Sequence, residues 1–213
     1  MVSVKDNFLG TSAKLSTREG NVIFLNDVLE KSVEKTLEII NERNSSLENK
    51  EEIAKEVGIG AVIFQELFNT RIKDYSFDWN NVLNFEGETG PYVQYSAARA
   101  NSILEKNDFY LKLDNIDISK VSNYKMNIDE LSLIKSIYKF EDILLDSAKK
   151  YEPSILARYI TEVAKLFNKF YNSCPISNQE DSVKEFRLIL TYCTRLLIEI
   201  GLGLLGMDTP KKM

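Results

Sequence analysis

The sequence has 213 residues, and its 44% hydrophobic content is enough to bury one sizeable core. The 27 Lys and Arg residues against 32 Asp and Glu leave a net charge of -5, which excludes a uniformly basic surface that coats nucleic acid. The chain has no histidine and only two cysteines, Cys174 and Cys193, which excludes a structural zinc site and any Ser-His or Cys-His nucleophile pair.

The first 25 residues are predicted to form a β-hairpin around a polar loop. Residues 1–5 and 21–25 carry the Val, Ile and Phe side chains typical of short strands. The loop between them contains two cations and two hydroxyls: Lys14, Ser16, Thr17 and Arg18. These residue types bind phosphates through charge and directional donors, although the spacing of a P-loop is missing. A solvated turn explains the same composition.

Two helices are predicted in residues 26–68. The first spans residues 28–43, with Asn26 or Asp27 as its cap and apolar side chains at helical spacing as its core face: Leu29, Val33, Leu37 and Ile40. The second begins near residue 50 and is expected to break at Gly58 and Gly60 before it resumes. The same glycines would let two backbones come close. Residues 69–84 are expected to form a structured loop with a brief extended segment at 75–78.

The stretch from Gly87 to Arg99 predicts a helix with two distinct faces. Pro91 follows a flexible turn and suits the first helical turn, where its missing N–H costs no hydrogen bond. The helix is therefore expected to run from Pro91 to about residue 106. One face is an apolar stripe that consists of Val93, Ala97, Ala100 and Leu104. A different face carries Tyr92, Tyr95 and Arg99, which fall at i, i+3 and i+7.

Two phenol rings and a guanidinium on one helix face have the chemistry to bind a single-stranded RNA loop, although the motif by itself is a weak signal. Aromatic rings and planar cations stack on unstacked bases, while hydroxyl and guanidinium donors reach base edges or phosphates. Because the net charge is negative, any such contact must be local. The alternative is that Tyr92 and Tyr95 are half-buried packing residues and that Arg99 is a solvated charge.

Three further helices are predicted after a variable connection at residues 107–127. They begin at Asp129, Pro153 and Asp181, and the first of them is expected to run unbroken to about residue 149 with Leu131, Ile134 and Tyr138 facing inward. Residues 188–207 are almost continuously apolar, but Arg195 and Glu199 interrupt them, which favours a buried helix over a transmembrane span. Together these elements predict an all-α helical bundle with a small N-terminal β-hairpin.

The order of these elements resembles the C-terminal part of arginyl-tRNA synthetase, a class I aminoacyl-tRNA synthetase. Residues 14–18, Lys-Leu-Ser-Thr-Arg, are similar to the family's Lys-Met-Ser-Lys-Ser signature, with Thr17 in place of the second lysine. The runs 57–62, 73–79 and 85–92 resemble the arginyl family closely, and Thr-Gly-Pro-Tyr at 89–92 is the most specific of them.

The resemblance implies a division into three parts: an ATP-loop segment at 1–25, a connecting helical region at 26–90 and an anticodon-binding helical bundle at 91–213. It also implies that the anticodon loop of an arginine tRNA meets residues matching Tyr92, Tyr95, Arg99, Tyr171 and Met213. The alternatives are another class I synthetase, such as the cysteinyl enzyme, or a helical protein-interaction scaffold without an RNA role. For Met213, a disordered tail is the other reading.

In the family, the parent enzyme ligates arginine to its tRNA through an arginyl-adenylate, with ATP and Mg²⁺. Lys14, Ser16, Thr17 and Arg18 would then stabilise charge on the ATP phosphates. The sequence has neither a His-Ile-Gly-His signature nor the alternating strands and helices of a nucleotide fold, so the fragment is expected to be inactive alone, with no catalytic or metal-binding residue of its own. We expect a cytoplasmic monomer with reduced cysteines and no membrane partner.

Overall fold

A computed structural model gives the structure of the protein at residues 2–4, 13–14, 24–113 and 124–213. The described residues are mainly helical, as predicted. In chain order the elements are β1 Val2–Val4, β2 Ala13–Lys14, α1 Leu25–Arg43, α2 Lys50–Phe68, β3 Tyr75–Phe77, α3 Trp79–Val82, α4 Gly90–Lys106, α5 Phe109–Lys112, α6 Ile128–Tyr138, α7 Phe140–Lys150, α8 Ser154–Ser173 and α9 Asp181–Leu204.

The short strands form one sheet in the order β2, β1, β3. β1 pairs antiparallel with β2, with Ser3 opposite Lys14, and parallel with β3, with Ser3 opposite Ser76. The extended segment predicted near residue 75 is therefore confirmed. The predicted second strand at 21–25 is wrong at its end, because Leu25 already begins α1 and the Phe24 carbonyl accepts N–H groups of the first helical turn. Residues 21–23 lie outside the described residues.

β3 and α3 pack with the inner side of α1 around the only tryptophan of the sequence. Trp79 is buried and meets the Phe77 ring edge-on, with 4.8 Å between the ring centroids. Asp78 caps α3 by accepting the Asn80 N–H at 3.0 Å. This small cluster fixes the segment that leads into α4.

α2 is one continuous helix, so the predicted break at Gly58 and Gly60 is wrong. The reason is packing against α1: a Cβ on Gly58 would lie 2.8 Å from the carbonyl oxygen of Ser32. Because of this close approach, the buried face of α1 also differs from the predicted one. Ser32 and Thr36 are fully buried there, and of the four predicted core residues only Ile40 is buried to a similar degree. The glycines therefore serve helix contact, and this contact outweighs their poor helix propensity.

α4 lies at the centre of the bundle and packs against α2, α8 and α9. It runs from Gly90 to Lys106, as predicted. Its predicted apolar stripe is confirmed, since Val93, Ala97, Ala100 and Leu104 are each at most 1% exposed. Burial of this stripe is the main reason that the opposite side chains of α4 have fixed positions.

The helix predicted from Asp129 to residue 149 is two helices, α6 and α7, which separate at Lys139. The Lys139 N–H donates to the Ser136 carbonyl at 3.1 Å, which tightens the last turn of α6. Within α6, Leu133 is buried, whereas Tyr138, five residues or about 140° further around the helix, is 87% exposed and does not face inward as predicted. α6 begins with a capping box formed by Asn127 and Glu130.

α8 and α9 complete the bundle. α8 follows Pro153 and α9 begins at Asp181, both as predicted. The apolar run in α9 is packed against α4 and α8, and Arg195 pairs with Glu199 at 3.1 Å across one helical turn. Across the part of the chain that the structure describes, none of the helices is both long and apolar enough to cross a membrane.

Candidate nucleic-acid interface

The start of α4 fixes the position of Tyr92. Thr89 is the N-cap, and its side chain accepts the Tyr92 N–H at 3.2 Å. Gly90 lies against α2 so closely that an added Cβ would come within 2.9 Å of the Phe64 Cβ. Pro91 occupies the first turn, where its missing N–H leaves no partner unsatisfied. The first turn of α4 therefore has little freedom to rotate.

The face of α4 opposite the apolar stripe carries the three predicted side chains. Tyr95 is 36% exposed, and Tyr92 and Arg99 are half-buried. None of the three is enclosed in the core. The structure thus brings them together on an accessible face, at the edge where α4 meets the end of α8.

Arg99 lies between two phenol rings. Its guanidinium carbon is 4.9 Å from the centroid of the Tyr95 ring and 5.2 Å from that of Tyr171, which is near the end of α8. Cation–π contacts of this kind hold the planar cation against the rings. Tyr171 remains 41% exposed. Two helices far apart in sequence therefore build one cation–aromatic cluster.

Asn168 on α8 joins this cluster, although the sequence analysis did not single it out. Its side-chain oxygen accepts from Arg99 Nη1 at 2.6 Å, and its Nδ2 donates to the Tyr92 hydroxyl at 3.0 Å and to Ser96 Oγ at 2.9 Å. Asn168 therefore uses both its acceptor oxygen and its donor NH₂ group. The available signal was its spacing, since Asn168 lies three residues before Tyr171 and so on the same helix face.

The final residues of the chain are fixed along α4 by two buried amides. Gln94 Nε2 donates to the Asp208 carbonyl at 2.8 Å, and Asn101 Nδ2 donates to the Lys211 carbonyl at 3.2 Å. Gln94 is 0% exposed and Asn101 is 3% exposed. Met213 is half-buried and packs against the apolar cluster formed by α1 and α2. The last residue is therefore ordered and lies beside the cation–aromatic cluster.

Two clefts open on either side of this arrangement. The first, of about 570 Å³, lies among α1, α4 and the segment before α4, and Tyr92 and Asn168 line it. The second, of about 880 Å³, lies among the ends of α4 and α8 and the segment after α8, and Tyr171 lines it. Tyr95, Arg99 and Met213 line both clefts. All five predicted tRNA-contact residues therefore line one cleft or both.

A buried ion pair braces the segment that borders the second cleft. Arg187 on α9 donates from Nε to Glu130 at 2.7 Å and from Nη1 to the carbonyl of Pro175, which lines that cleft. Tyr124 donates to the same carboxylate at 2.8 Å, and burial together with this hydrogen bond raises the pKa of its hydroxyl. The carboxylate is fully buried and the arginine nearly so. Such a network holds α6, α9 and the end of α8 in one arrangement.

Two lysines on α8 are already paired with carboxylates. Lys165 lies 2.6 Å from Glu88, and this hydrogen bond raises the pKa of the lysine. Lys169 lies 2.8 Å from Asp129, and hydrogen bonds from Lys169 and Ser173 lower the pKa of that carboxyl. Arg99 differs from both because its partners are neutral.

The second predicted site, the phosphate loop, is described only at its first residue. Lys14 is the last residue of β2. Ser16, Thr17 and Arg18 lie outside the described residues, so the predicted loop stays a prediction. The described ranges contain no group of three or more His, Cys, Asp or Glu side chains that could hold a metal ion.

Comparisons with protein families match two parts of the chain. Residues 93–213 match the DALR anticodon binding domain. Residues 6–79 match the family described as "tRNA synthetases class I (R), catalytic domain".

Proteins of similar sequence or structure are named arginine–tRNA ligase or arginyl-tRNA synthetase. An arginine–tRNA ligase of Halothermothrix orenii is 50% identical, and the match covers 100% of this chain and 36% of that protein. An arginine–tRNA ligase of Clostridium kluyveri is 52% identical, and the match covers 94% of this chain and 35% of that protein. Among solved structures, the Thermus thermophilus arginyl-tRNA synthetase is 28% identical, with a TM-score of 0.82 over 100% of this chain and 34% of its own. The Plasmodium falciparum arginyl-tRNA synthetase is 25% identical, with a TM-score of 0.76, and the match covers 90% of this chain and 34% of that one. The chain thus spans about a third of the length of these relatives.

Proposed function

The chain belongs to the DALR anticodon-binding domain family, and on that premise we propose that α4, the end of α8 and the final residues bind the anticodon loop of an arginine tRNA. The observation that carries the proposal is the position of Arg99 between Tyr95 and Tyr171, beside Met213. Tyr95 and Tyr171 are not among the core residues, whereas Tyr92 on the same face of α4 packs partly against the core.

The chemistry of the cluster suits unstacked bases. The exposed faces of Tyr95 and Tyr171 offer stacking surfaces, and their hydroxyls can donate to base edges. Arg99 adds positive charge where the chain as a whole has a net charge of -5, so the attraction for RNA is concentrated at one place. Met213 supplies an adaptable apolar contact at the wall between the two clefts.

The test is a titration of the purified chain with an arginine tRNA transcript on a filter-binding assay. Tyr95→Ala is expected to weaken binding by ~5- to 150-fold, since stacking of one base on an aromatic side chain contributes ~1–3 kcal/mol. Tyr138→Ala is the matched control, because Tyr138 is 87% exposed and lines neither cleft. Equal retention by the wild type, Tyr95→Ala and Arg99→Ala would instead favour a scaffold without an RNA role.

The wider biochemical role is also a proposal. We infer that the chain acts within a longer arginine–tRNA ligase that uses arginine, ATP and Mg²⁺ in the cytoplasm, as a monomer. The names of the relatives favour arginine over cysteine as its amino acid. In that enzyme, Lys14, Ser16, Thr17 and Arg18 would contact ATP phosphates, and residues 1–25, 26–90 and 91–213 would be the ATP-loop segment, the connecting region and the anticodon-binding bundle.

A further inference from the structure

The first cleft carries a second cation–aromatic pair, formed by Arg43 and Phe85. Arg43 is the last residue of α1, and its guanidinium carbon lies 5.2 Å from the centroid of the Phe85 ring. Both side chains line the cleft that Tyr92, Tyr95 and Arg99 also line. The cleft therefore has a cation and a ring from the α1 side as well as from α4.

Among the described residues, the N–H donors of Arg43 have no acceptor, in contrast to those of Arg99. Arg99 donates to Asn168 and to the Tyr95 hydroxyl. In the described part of the chain, the guanidinium of Arg43 has the contact with Phe85 but no hydrogen bond or ion pair, and the residue is exposed. A guanidinium has five N–H donors in a planar fork that matches the oxygens of a phosphate. The Phe85 ring thus orients the Arg43 guanidinium, whose donors can bind a phosphate.

The rest of the cleft suits a nucleotide. Its floor is apolar, with Ile40, Ile53 and Met213 among the lining residues. Its charged side chains are Arg43, Arg99 and Glu86, which sum to +1 in a chain with a net charge of -5. The volume of about 570 Å³ lies within the range of ~300–1,000 Å³ that is common for small-ligand sites. An unstacked base fits the apolar floor, and its phosphate would meet the cations at the rim.

We propose that Arg43, oriented by Phe85, binds a phosphate of the RNA loop at the nucleotide whose base enters the first cleft. The occupant is one nucleotide of a single-stranded RNA loop. This inference rests on the proposed anticodon-binding function, and it extends the interface from α4 and α8 to α1. Arg43 is the contact residue, and Phe85 is a positioning residue that acts through the guanidinium.

The test compares the affinities of Arg43→Gln, Arg99→Gln, Arg158→Gln and the wild type for an arginine tRNA transcript across a series of salt concentrations. Arg158 is the control for general charge, since it is exposed, lies 5.3 Å from the Phe68 ring centroid and lines neither cleft; unlike Arg43, it also donates to the Phe68 carbonyl at 3.3 Å. Arg43→Gln is expected to weaken binding about tenfold, the effect of losing one charged hydrogen bond. It should also reduce the slope of log K against log salt by ~0.7, the value for one phosphate contact on a single strand.

The role of Phe85 is tested by Phe85→Leu, alone and together with Arg43→Gln. If the ring acts through the guanidinium, Phe85→Leu weakens binding in the wild type but adds little to Arg43→Gln. Additive losses would overturn the positioning role. Thermal unfolding of each variant shows whether a loss of binding reflects a loss of folded protein.

The outcomes separate this inference from the function on which it rests. If Arg99→Gln weakens tRNA binding while Arg43→Gln keeps the wild-type affinity and the wild-type slope of log K against log salt, the inference is overturned and the proposed function stays in place. Equal losses for Arg43→Gln and Arg158→Gln would also overturn it, because the effect would then be one of general charge. Wild-type binding by all three variants would refute the proposed function itself.

Discussion

Replacing Gly58 by alanine is expected to destabilise the protein, although alanine is the better helix former. The new Cβ would lie 2.8 Å from the Ser32 carbonyl oxygen and 2.9 Å from the Val33 nitrogen. These are backbone atoms, so no side-chain rotation can relieve the contact and α1 must move away from α2. Overpacking costs ~1–3 kcal/mol, and a contact with backbone belongs at the upper end of that range. The gain in helix propensity is ~1 kcal/mol, so the net loss is about 2 kcal/mol.

Gly203 in α9 provides the control within the same chain. Apart from the neighbouring backbone of α9 itself, no atom of the described residues lies within 4 Å of a Cβ built on Gly203, and the residue is exposed. Gly203→Ala is therefore expected to stabilise the protein through the backbone entropy of the unfolded chain, by ~0.5 kcal/mol and not the ~1 kcal/mol of a helix interior, because Gly203 lies in the last turn of α9. The two substitutions are chemically identical, and only their surroundings differ.

Urea unfolding followed by circular dichroism measures both effects. With a slope of ~2 kcal/mol per molar urea, the midpoint should fall by about 1 M for Gly58→Ala and rise by about 0.25 M for Gly203→Ala. A midpoint for Gly58→Ala at or above the wild-type value would refute the reasoning, since it would mean that α1 and α2 do not approach as closely as the structure shows.

Three further predictions concern polar contacts. Asn168→Ala should weaken binding of an arginine tRNA transcript by ~3- to 10-fold in the filter-binding assay, because a hydrogen bond that orients Arg99 contributes ~1 kcal/mol. Glu130→Gln should lower the free energy of unfolding in urea by ~3 kcal/mol, because it leaves the buried charge of Arg187 uncompensated. The lowered pKa of Asp129 stabilises the fold above the unfolded-state value near 3.8, and this contribution is lost as the pH falls through the folded-state pKa. The difference in urea midpoint between wild type and Asp129→Asn should therefore shrink as the pH falls below 3.8.

Local signals in the sequence predicted the central helix and its two faces. Pro91 marks where α4 begins, and the spacing of Val93, Ala97 and Ala100 gives its buried side. Because opposite faces of a helix follow from periodicity alone, the accessible position of Tyr95 was predictable as well. Whether these residues bind RNA remains a prediction for the titrations above.

The features that could not be predicted depend on contacts between distant parts of the chain. Gly58 reads as a helix breaker until α1 is placed against it. No glycine or proline marks the break at Lys139, which is set by how α6 and α7 each pack on α8. Asn168 and Arg43 gain their importance from partners on other elements, and single-sequence periodicity carries no information about such partners.

Trp79 is the only tryptophan of the sequence, so its fluorescence reports on one defined position in the fold. The indole is 4% exposed and packs against Phe77, in a cluster that includes the inner side of α1, and Trp79 itself lines neither of the two clefts. Its fluorescence should be blue-shifted and poorly quenched by acrylamide while the fold is intact. An RNA ligand that contacts only the tyrosines should leave this emission unchanged, so a spectral shift during a titration would report a change in the packing of β3, α3, α1 and α2 around the indole.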